Sequence, residues 1–219
     1  MRIIIAASGG QQKWNEHLGV PSHLCPLTRH GGIPLLHRTV EQCLKYTHDV
    51  ITTIPAHDER YRSVPGQHLM VGDDMRSEFE ASQSIWNESG RTVLLLGDVY
   101  FTQEALDTIM GHKGRDYRAF GRYKASEITG TPYGELFAAS WWPVNHHDLS
   151  QHLGRVHFLR ERGDITRPPG WMLLRAFQGG HLGKHVVSPR WFTEINDETD
   201  DIDFPADYDR HPATRRDNG

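Results

Sequence analysis

The stretch RIIIAASGGQQKW, residues 2–14, decides how the chain is read. Ile3, Ile4, Ile5, Ala6 and Ala7 form an unbroken apolar run. The run is too short for a membrane span or a secretory core, and it has the length of a strand buried on both faces. Ser8, Gly9 and Gly10 end it, and Lys13 follows two glutamines later. Open parallel sheets bind ligands beyond the carboxyl ends of their strands. Glycines there let the backbone turn left-handed and let a ligand reach main-chain amides, and a lysine neutralises phosphate. No GK[ST] follows and there is no third glycine, so neither a Walker loop nor a dinucleotide fingerprint is present. The same residues also read as a plain turn.

Moving outward, Leu36, Val40 and Leu44 recur every four residues behind Pro34, which suits the first turn of a helix. Val50–Ile54 reads as a strand, 75–90 as a helix with Phe79, Ile85 and Trp86 inward, and Val93–Leu96 as a second fully apolar strand. Thr102 caps a helix over 103–110. Strands and helices alternating at this spacing predict an α/β fold, with a Rossmann-like, mostly parallel (mixed) central sheet flanked by helices. Beyond residue 115, 116–123 and 134–142 read as strands joined by a Gly/Pro-bearing loop, 171–179 as a short helix and 190–195 as a strand. Without repeats or a low-complexity linker, residues 1–210 read as one domain and 211–219 as a flexible tail.

Composition agrees. The chain has 219 residues, enough for a sizeable core, with 37% hydrophobic and 24% charged residues. A formal charge of −4 gives no global attraction to nucleic acid or an acidic membrane. The 15 histidines show no HExxH and no zinc spacing. Two cysteines, Cys25 and Cys43, do not suggest a disulfide framework. A cytoplasmic location is expected.

Three carboxylates stand out. Asp98 follows the apolar run 93–96, so it belongs at the same sheet edge as the glycine loop. There it either caps a turn or holds a hard divalent cation. Asp201 and Asp203 flank Ile202, so an extended backbone turns both to one side. They also read as part of a solvated acidic run, 196–203.

Taken in order, IIIAASGGQQKW, GVPSHLCPL, GGIPLLHRTVEQC, VLLLGDVYF and TDDIDFPADY resemble the motifs of the GT-A-like nucleotidyltransferases, the MobA-like and sugar-phosphate nucleotidylyltransferase group. The resemblance runs from about Arg2 to Tyr208 and is thin between 110 and 190. It implies a nucleotide-diphospho-sugar transferase type of fold. It implies transfer of a nucleoside monophosphate from a nucleoside triphosphate to a small phosphorylated acceptor, a sugar phosphate, with release of pyrophosphate. Mg²⁺ (or Mn²⁺) would be held by Asp98 and Asp203, with Asp201 the rival second ligand. Ala6, Ala7, Ser8, Gly9, Gly10, Gln11 and Lys13 would line the nucleotide, Lys13 acting with the two metal aspartates in catalysis. The family's glycine after Ala-Ala is Ser8 here, and its signature lysine falls on Ser22, with His23 beside it as a substitute phosphate donor. Arg122 and Lys124 are expected to pair with the acceptor phosphate, Tyr133, Trp141 and Trp142 to wall it, and Glu135 to accept from a hydroxyl. Asp207 and Pro205 open a last helix, with Phe204 anchoring the segment in the core and so favouring Asp203 over Asp201.

Two other readings fit the same pieces. One is a GT-A glycosyltransferase using a nucleotide sugar, although Tyr100 stands where its Asp-x-Asp would have the second acid. The other is a non-catalytic nucleotide- or sugar-binding module, which the departures at Ser8 and Ser22 favour.

Overall fold

A computed structural model describes residues 1–9, 12–166, 169–184 and 186–215. Its strands are β1 (Arg2–Ala6), β2 (Pro26–Leu27), β3 (Ile33–Pro34), β4 (Val50–Pro55), β5 (Gln67–Val71), β6 (Thr92–Leu96), β7 (Val99–Tyr100), β8 (Arg118–Arg122), β9 (Glu135–Trp141), β10 (Phe192–Glu194) and β11 (Asp200–Asp201). Its helices are α1 (Leu35–Cys43), α2 (Glu78–Ala81), α3 (Gln103–Gly111), α4 (His146–Glu161), α5 (Pro169–Phe177) and α6 (Pro205–Arg210). Seven strands form one sheet in the order β10-β8-β9-β6-β1-β4-β5. β1 lies near its centre, parallel to β4 and β6.

The apolar run explains that position. Ile3, Ile4 and Ile5 are all fully buried. Ile3 and Ile5 join a core with Leu36 and Val40 of α1 and Leu106 and Ile109 of α3. Ile4 points the other way, into a second core with Leu149 and Leu153 of α4 and Leu173 of α5. A strand with period two can feed two cores only if both faces are covered. Each isoleucine buried this way contributes roughly 2–3 kcal/mol.

β9 is antiparallel to both β6 and β8. It therefore starts at the sheet edge where β1, β6 and β8 end. At this edge Ala6 pairs with Leu96, and the Gly97 N–H donates to the Ala6 carbonyl at 2.8 Å. A Cβ on Gly97 would stand 2.7 Å from that oxygen, so only glycine lets the two strand ends touch.

Several elements differ from the sequence expectation. The helix expected over 75–90 shrinks to α2 and a 3₁₀ turn, Gln83–Ile85. The Ser82 hydroxyl donates to the Phe79 carbonyl and accepts from the Trp86 indole, a local competition that ends helices. Pro34 is extended and precedes the first turn of α1 instead of entering it. Edge strand β5 and the 16-residue α4 have no counterpart in the expectation. The tail expected over 211–219 is packed where it is described, because His211, Ala213 and Thr214 are buried and a 3₁₀ turn covers Pro212–Thr214; 216–219 lie outside the described residues. Among the described residues no helix is long and apolar enough to cross a membrane.

Candidate active site

Two pairings bring distant carboxylates to the edge beyond β1 and β6. β11 runs antiparallel to β7, with Asp201 opposite Val99. One residue on, the Ile202 N–H donates to the Asp98 carbonyl at 2.8 Å. Ile202 is fully buried in a third small core with Trp14, Leu35 and Tyr100. With Ile202 facing that core, Asp201 and Asp203 both face the other side and line one cavity with Asp98. The cavity measures about 470 Å³ and is also lined by Ala6, Gly9, Lys13 and His23.

The Asp98 and Asp203 carboxyl groups lie close enough to act on one another. Burial, then the charges of Asp203 and Glu78, push the Asp98 carboxyl well above the usual range. Burial, then Glu135, Asp203, Asp200 and Asp98, push Asp201 the same way. Asp201 Oδ1 is buried with no hydrogen-bond partner among the described residues. The Lys13 ammonium pairs with Asp203 and stands 5.2 Å from the centre of the Phe204 ring. Burial depresses its pKa, but the hydrogen bond and charge of Asp203 outweigh that and hold it raised.

A divalent cation suits this donor set. The three aspartates offer only carboxylate oxygens, the preference of Mg²⁺ and Mn²⁺, and the unpartnered Asp201 oxygen faces that acidic group. Among the described residues no group of three or more side chains is arranged as a ready cation cage. The fit is therefore to a site of one or two carboxylates completed by water and substrate oxygens, as Mg²⁺ favours.

The remaining expected residues divide. His23 lines the cavity and is 2% exposed; burial pulls its pKa down to about 4, which leaves the neutral-donor role and not the protonated one at pH 7. Its Nδ1 and the Tyr61 hydroxyl are hydrogen-bonded at 2.7 Å. Ala7 is buried beneath the loop, and the Ser8 and Thr53 hydroxyls hydrogen-bond at 3.3 Å. Gly9 does not have a left-handed backbone; in this loop positive φ falls instead on Asn15, Glu16, Leu18 and Gly19. Gly10 and Gln11 lie outside the described residues. Tyr133 and Glu135 line the cavity, and burial, then Asp203, raises the Glu135 pKa to about 7.

Arg122 and Lys124 do not line the cavity. Arg122 Nη1 donates to buried Asp200 at 2.7 Å and its Nε to the Lys124 carbonyl at 3.1 Å. Ser126 also donates to Asp200, as does Thr129 at 2.9 Å. Arg122 and its neighbours thus stitch β8 to β11, with Arg122 Nη2 buried and without a hydrogen-bond partner among the described residues, and Lys124 is exposed. Trp141 packs between Phe79 and Trp86, and Trp142 lies against Arg115. Phe204 is 40% exposed, so Ile202, not Phe204, anchors the late motif. Asp207 does cap α6, accepting from the Phe204 N–H at 2.8 Å and the Asp203 N–H at 3.2 Å.

Glu78 at the start of α2 and Trp171 in the first turn of α5 line the cavity without a signal in their spacing, and Phe79 joins them from the face read as inward. The Ser77 side chain accepts from the Glu80 N–H and caps α2, the only local hint of where that helix begins.

No family model matches the chain, nor does any curated protein. Solved structures do. A Bacillus anthracis protein assigned as a glucose-1-phosphate thymidylyltransferase, holding a sucrose, superposes with a TM-score of 0.65 at 13% identity, covering 100% of this chain and 96% of that one. The chain has the nucleotide-diphospho-sugar transferase fold. Two further structures share it. A homologue of the Mycobacterium tuberculosis protein rv0371c from Mycobacterium sp. strain JC1 gives 0.60 at 20% identity, covering 96% of both chains. The inositol-1-phosphate CTP transferase of T. maritima gives 0.55 at 15% identity, covering 94% of this chain and 90% of that one. In this transferase fold the cavity lies beyond the carboxyl ends of β1 and β6, where open α/β sheets take ligands.

Proposed function

We propose that the chain is a divalent-cation-dependent nucleotidyltransferase, moving a nucleoside monophosphate from a nucleoside triphosphate to a phosphorylated acceptor. The observation that carries this is the meeting of Asp98, Asp201 and Asp203 with Lys13 in one cavity at the end of β1. Likeness in fold to proteins named as thymidylyl and CTP transferases supports it.

An acceptor phosphate oxygen forms a bond to the α-phosphorus, and the bond from that phosphorus to the bridging oxygen of the β-phosphate breaks. The electron pair leaves with pyrophosphate, and no oxidant or further co-reactant is needed. The protein contributes alignment and charge. Asp98 and Asp203, with Asp201 the rival second ligand, would hold Mg²⁺ or Mn²⁺, which supplies positive charge against the reacting phosphates. Lys13, part-exposed on the loop after β1, would exchange Asp203 for phosphate oxygens. His23 would act as a neutral hydrogen-bonding group. Ala6 and Gly9 offer a close backbone approach at the mouth of the cavity.

The test is a panel of four nucleoside triphosphates with Mg²⁺ and mixed phosphorylated acceptors, followed by pyrophosphate release and product mass. Release of pyrophosphate in step with a nucleoside-diphosphate-linked product is expected. Release of a nucleoside diphosphate from a nucleotide sugar would transfer the reading to glycosyl transfer. Binding without turnover across the panel would leave a binding module.

A further inference from the structure

His23 lines the cavity and Tyr61 does not, yet the two are joined. The Tyr61 hydroxyl and His23 Nδ1 lie 2.7 Å apart, with ring centroids at 5.8 Å and ring planes at 60°. Tyr61 is fully buried, in the same core as Leu24, Leu36 and Val40. The two side chains come from separate pieces of chain, His23 from the 3₁₀ turn Ser22–Leu24 and Tyr61 from the 3₁₀ turn Glu59–Ser63. The second turn is itself held. Asp58 accepts from the Arg60 N–H at 3.0 Å. The Arg60 guanidinium reaches Glu16, in the loop that also carries Lys13, at 2.5 Å.

The hydrogen count fixes the form of the histidine. A neutral imidazole has one N–H and one bare nitrogen, and the bond made at one nitrogen decides which is which. A phenol keeps its proton at pH 7, and burial raises the Tyr61 pKa further. Among the described residues the Tyr61 oxygen has no second hydrogen-bond partner. Were Nδ1–H the donor, the phenol proton would be buried without an acceptor, the costly outcome. The phenol therefore donates to Nδ1, and the proton of the ring sits on Nε2. The two nitrogens lie on opposite edges of the ring. With Nδ1 turned to Tyr61, Nε2–H is the polar edge on the cavity side.

We infer that Tyr61 is a positioning residue for triphosphate binding: its phenol locks His23 as the Nε2–H tautomer and so presents a neutral N–H to a phosphate oxygen. This rests on the nucleotidyl-transfer reading, which supplies the triphosphate. A histidine without such a partner spends part of its time as the other tautomer, whose bare Nε2 repels phosphate oxygens. Tyr61 removes that form. The lysine expected from the resemblance is thus replaced by two residues, a neutral donor and the group that orients it.

Nitrogen-15 spectra of the intact protein, labelled at histidine, report which ring nitrogen carries the proton. The His23 signal is the one lost in His23→Gln. At pH 7 the parent is expected to show neutral His23 protonated on Nε2. Tyr61→Phe removes a single oxygen and leaves the ring in its core, and it should move that signal towards a mixture of tautomers. Calorimetry with inorganic tripolyphosphate and Mg²⁺ reads binding without turnover. Tyr61→Phe should weaken this binding by about 10-fold. In His23→Gln the side-chain amide donates with no tautomer to choose, so adding Tyr61→Phe there should change affinity by less than about 2-fold. Nδ1–H in the parent, a tautomer unmoved in Tyr61→Phe, or no binding of tripolyphosphate overturns the inference. An equal loss in both backgrounds also overturns it, since that marks a merely structural role. Pyrophosphate release by a parent whose His23 is protonated on Nδ1 sinks this inference and keeps nucleotidyl transfer. The expected spectra and affinities without pyrophosphate release from any mixture keep this inference and sink nucleotidyl transfer.

Discussion

Arg122 separates stability from chemistry. Its guanidinium and the fully buried Asp200 form an ion pair at 2.7 Å, with Ser126 and Thr129 completing the acceptor's shell. Removing one partner of such a pair typically costs about 3–5 kcal/mol, because the other charge stays buried. Arg122→Met should therefore lower the urea midpoint strongly, while the folded fraction keeps its acceptor KM. A raised KM at unchanged stability would restore the role expected from sequence. Asp98→Asn has the reverse signature. The lost charge lies at the cavity, so circular dichroism should stay native while pyrophosphate release falls by about 10³-fold. Turnover near the parent rate would remove Asp98 from the site. His23 gives a pH signature. Burial depresses its pKa to about 4, against about 6.5 in an unfolded chain. The unfolded state therefore binds more protons between those values. The stability from keeping the ring neutral is full above about pH 6.5 and is lost as pH falls towards 4, by about 3 kcal/mol in all. The stability of the parent minus that of His23→Gln should decline over this window. A flat difference would contradict the buried neutral ring. At this scale the sequence anticipated that Asp98, Asp201, Asp203 and Lys13 come to one sheet edge, because position after an apolar run and alternation around Ile202 are local properties. It could not reveal that Arg122 is spent on Asp200, a partner 78 residues away.

Elements were legible where their pattern was set by two-sided burial. β1, β4 and β6 are continuous apolar or β-branched runs, and Thr102 caps α3 as its hydroxyl predicts, accepting from the Ala105 N–H at 3.0 Å. β5 was not legible, since four of its five residues are exposed or half-buried and show no alternation. α4 was missed for a related reason: Leu149, Leu153 and Val156 form its buried stripe, but histidines and Gly154 interleave with them. α2 was read too long, because hydroxyl competition at Ser82 lies outside any periodicity. Gly97 joins two of the legible elements. Gly97→Ala places a Cβ 2.7 Å from the Ala6 carbonyl oxygen and 2.8 Å from the Ala7 side chain. The strand ends must then separate, at about 1–3 kcal/mol, and Asp98 moves with them. Denaturant midpoint and turnover should both fall. A variant with parent-like values for both would show that the contact between β1 and β6 can yield freely.

For the whole molecule, nucleotide and cation should bind the native state alone. A native-state ligand at about 100 times its Kd adds about 2.7 kcal/mol. In a chain of this size that amounts to about 5–10 °C in Tm. Mg²⁺ with a non-hydrolysable triphosphate should produce a shift of this order, and Asp201→Asn should reduce it. An equal shift without Mg²⁺ would detach the aspartates from cation binding. The pairing of β7 with β11 carries a further consequence. It joins Val99–Tyr100 to Asp200–Asp201 and helps to bring Asp201 and Asp203 to the cavity. Closing a loop of that length is an entropic step that local contacts cannot repay. During synthesis the sheet strands β1, β4 and β6 are available long before the residues that complete the pocket. A nascent chain can thus bury much of its core while it is still unable to grip a ligand. The segment carrying β11 acts as the clasp that turns the assembled sheet into a competent site.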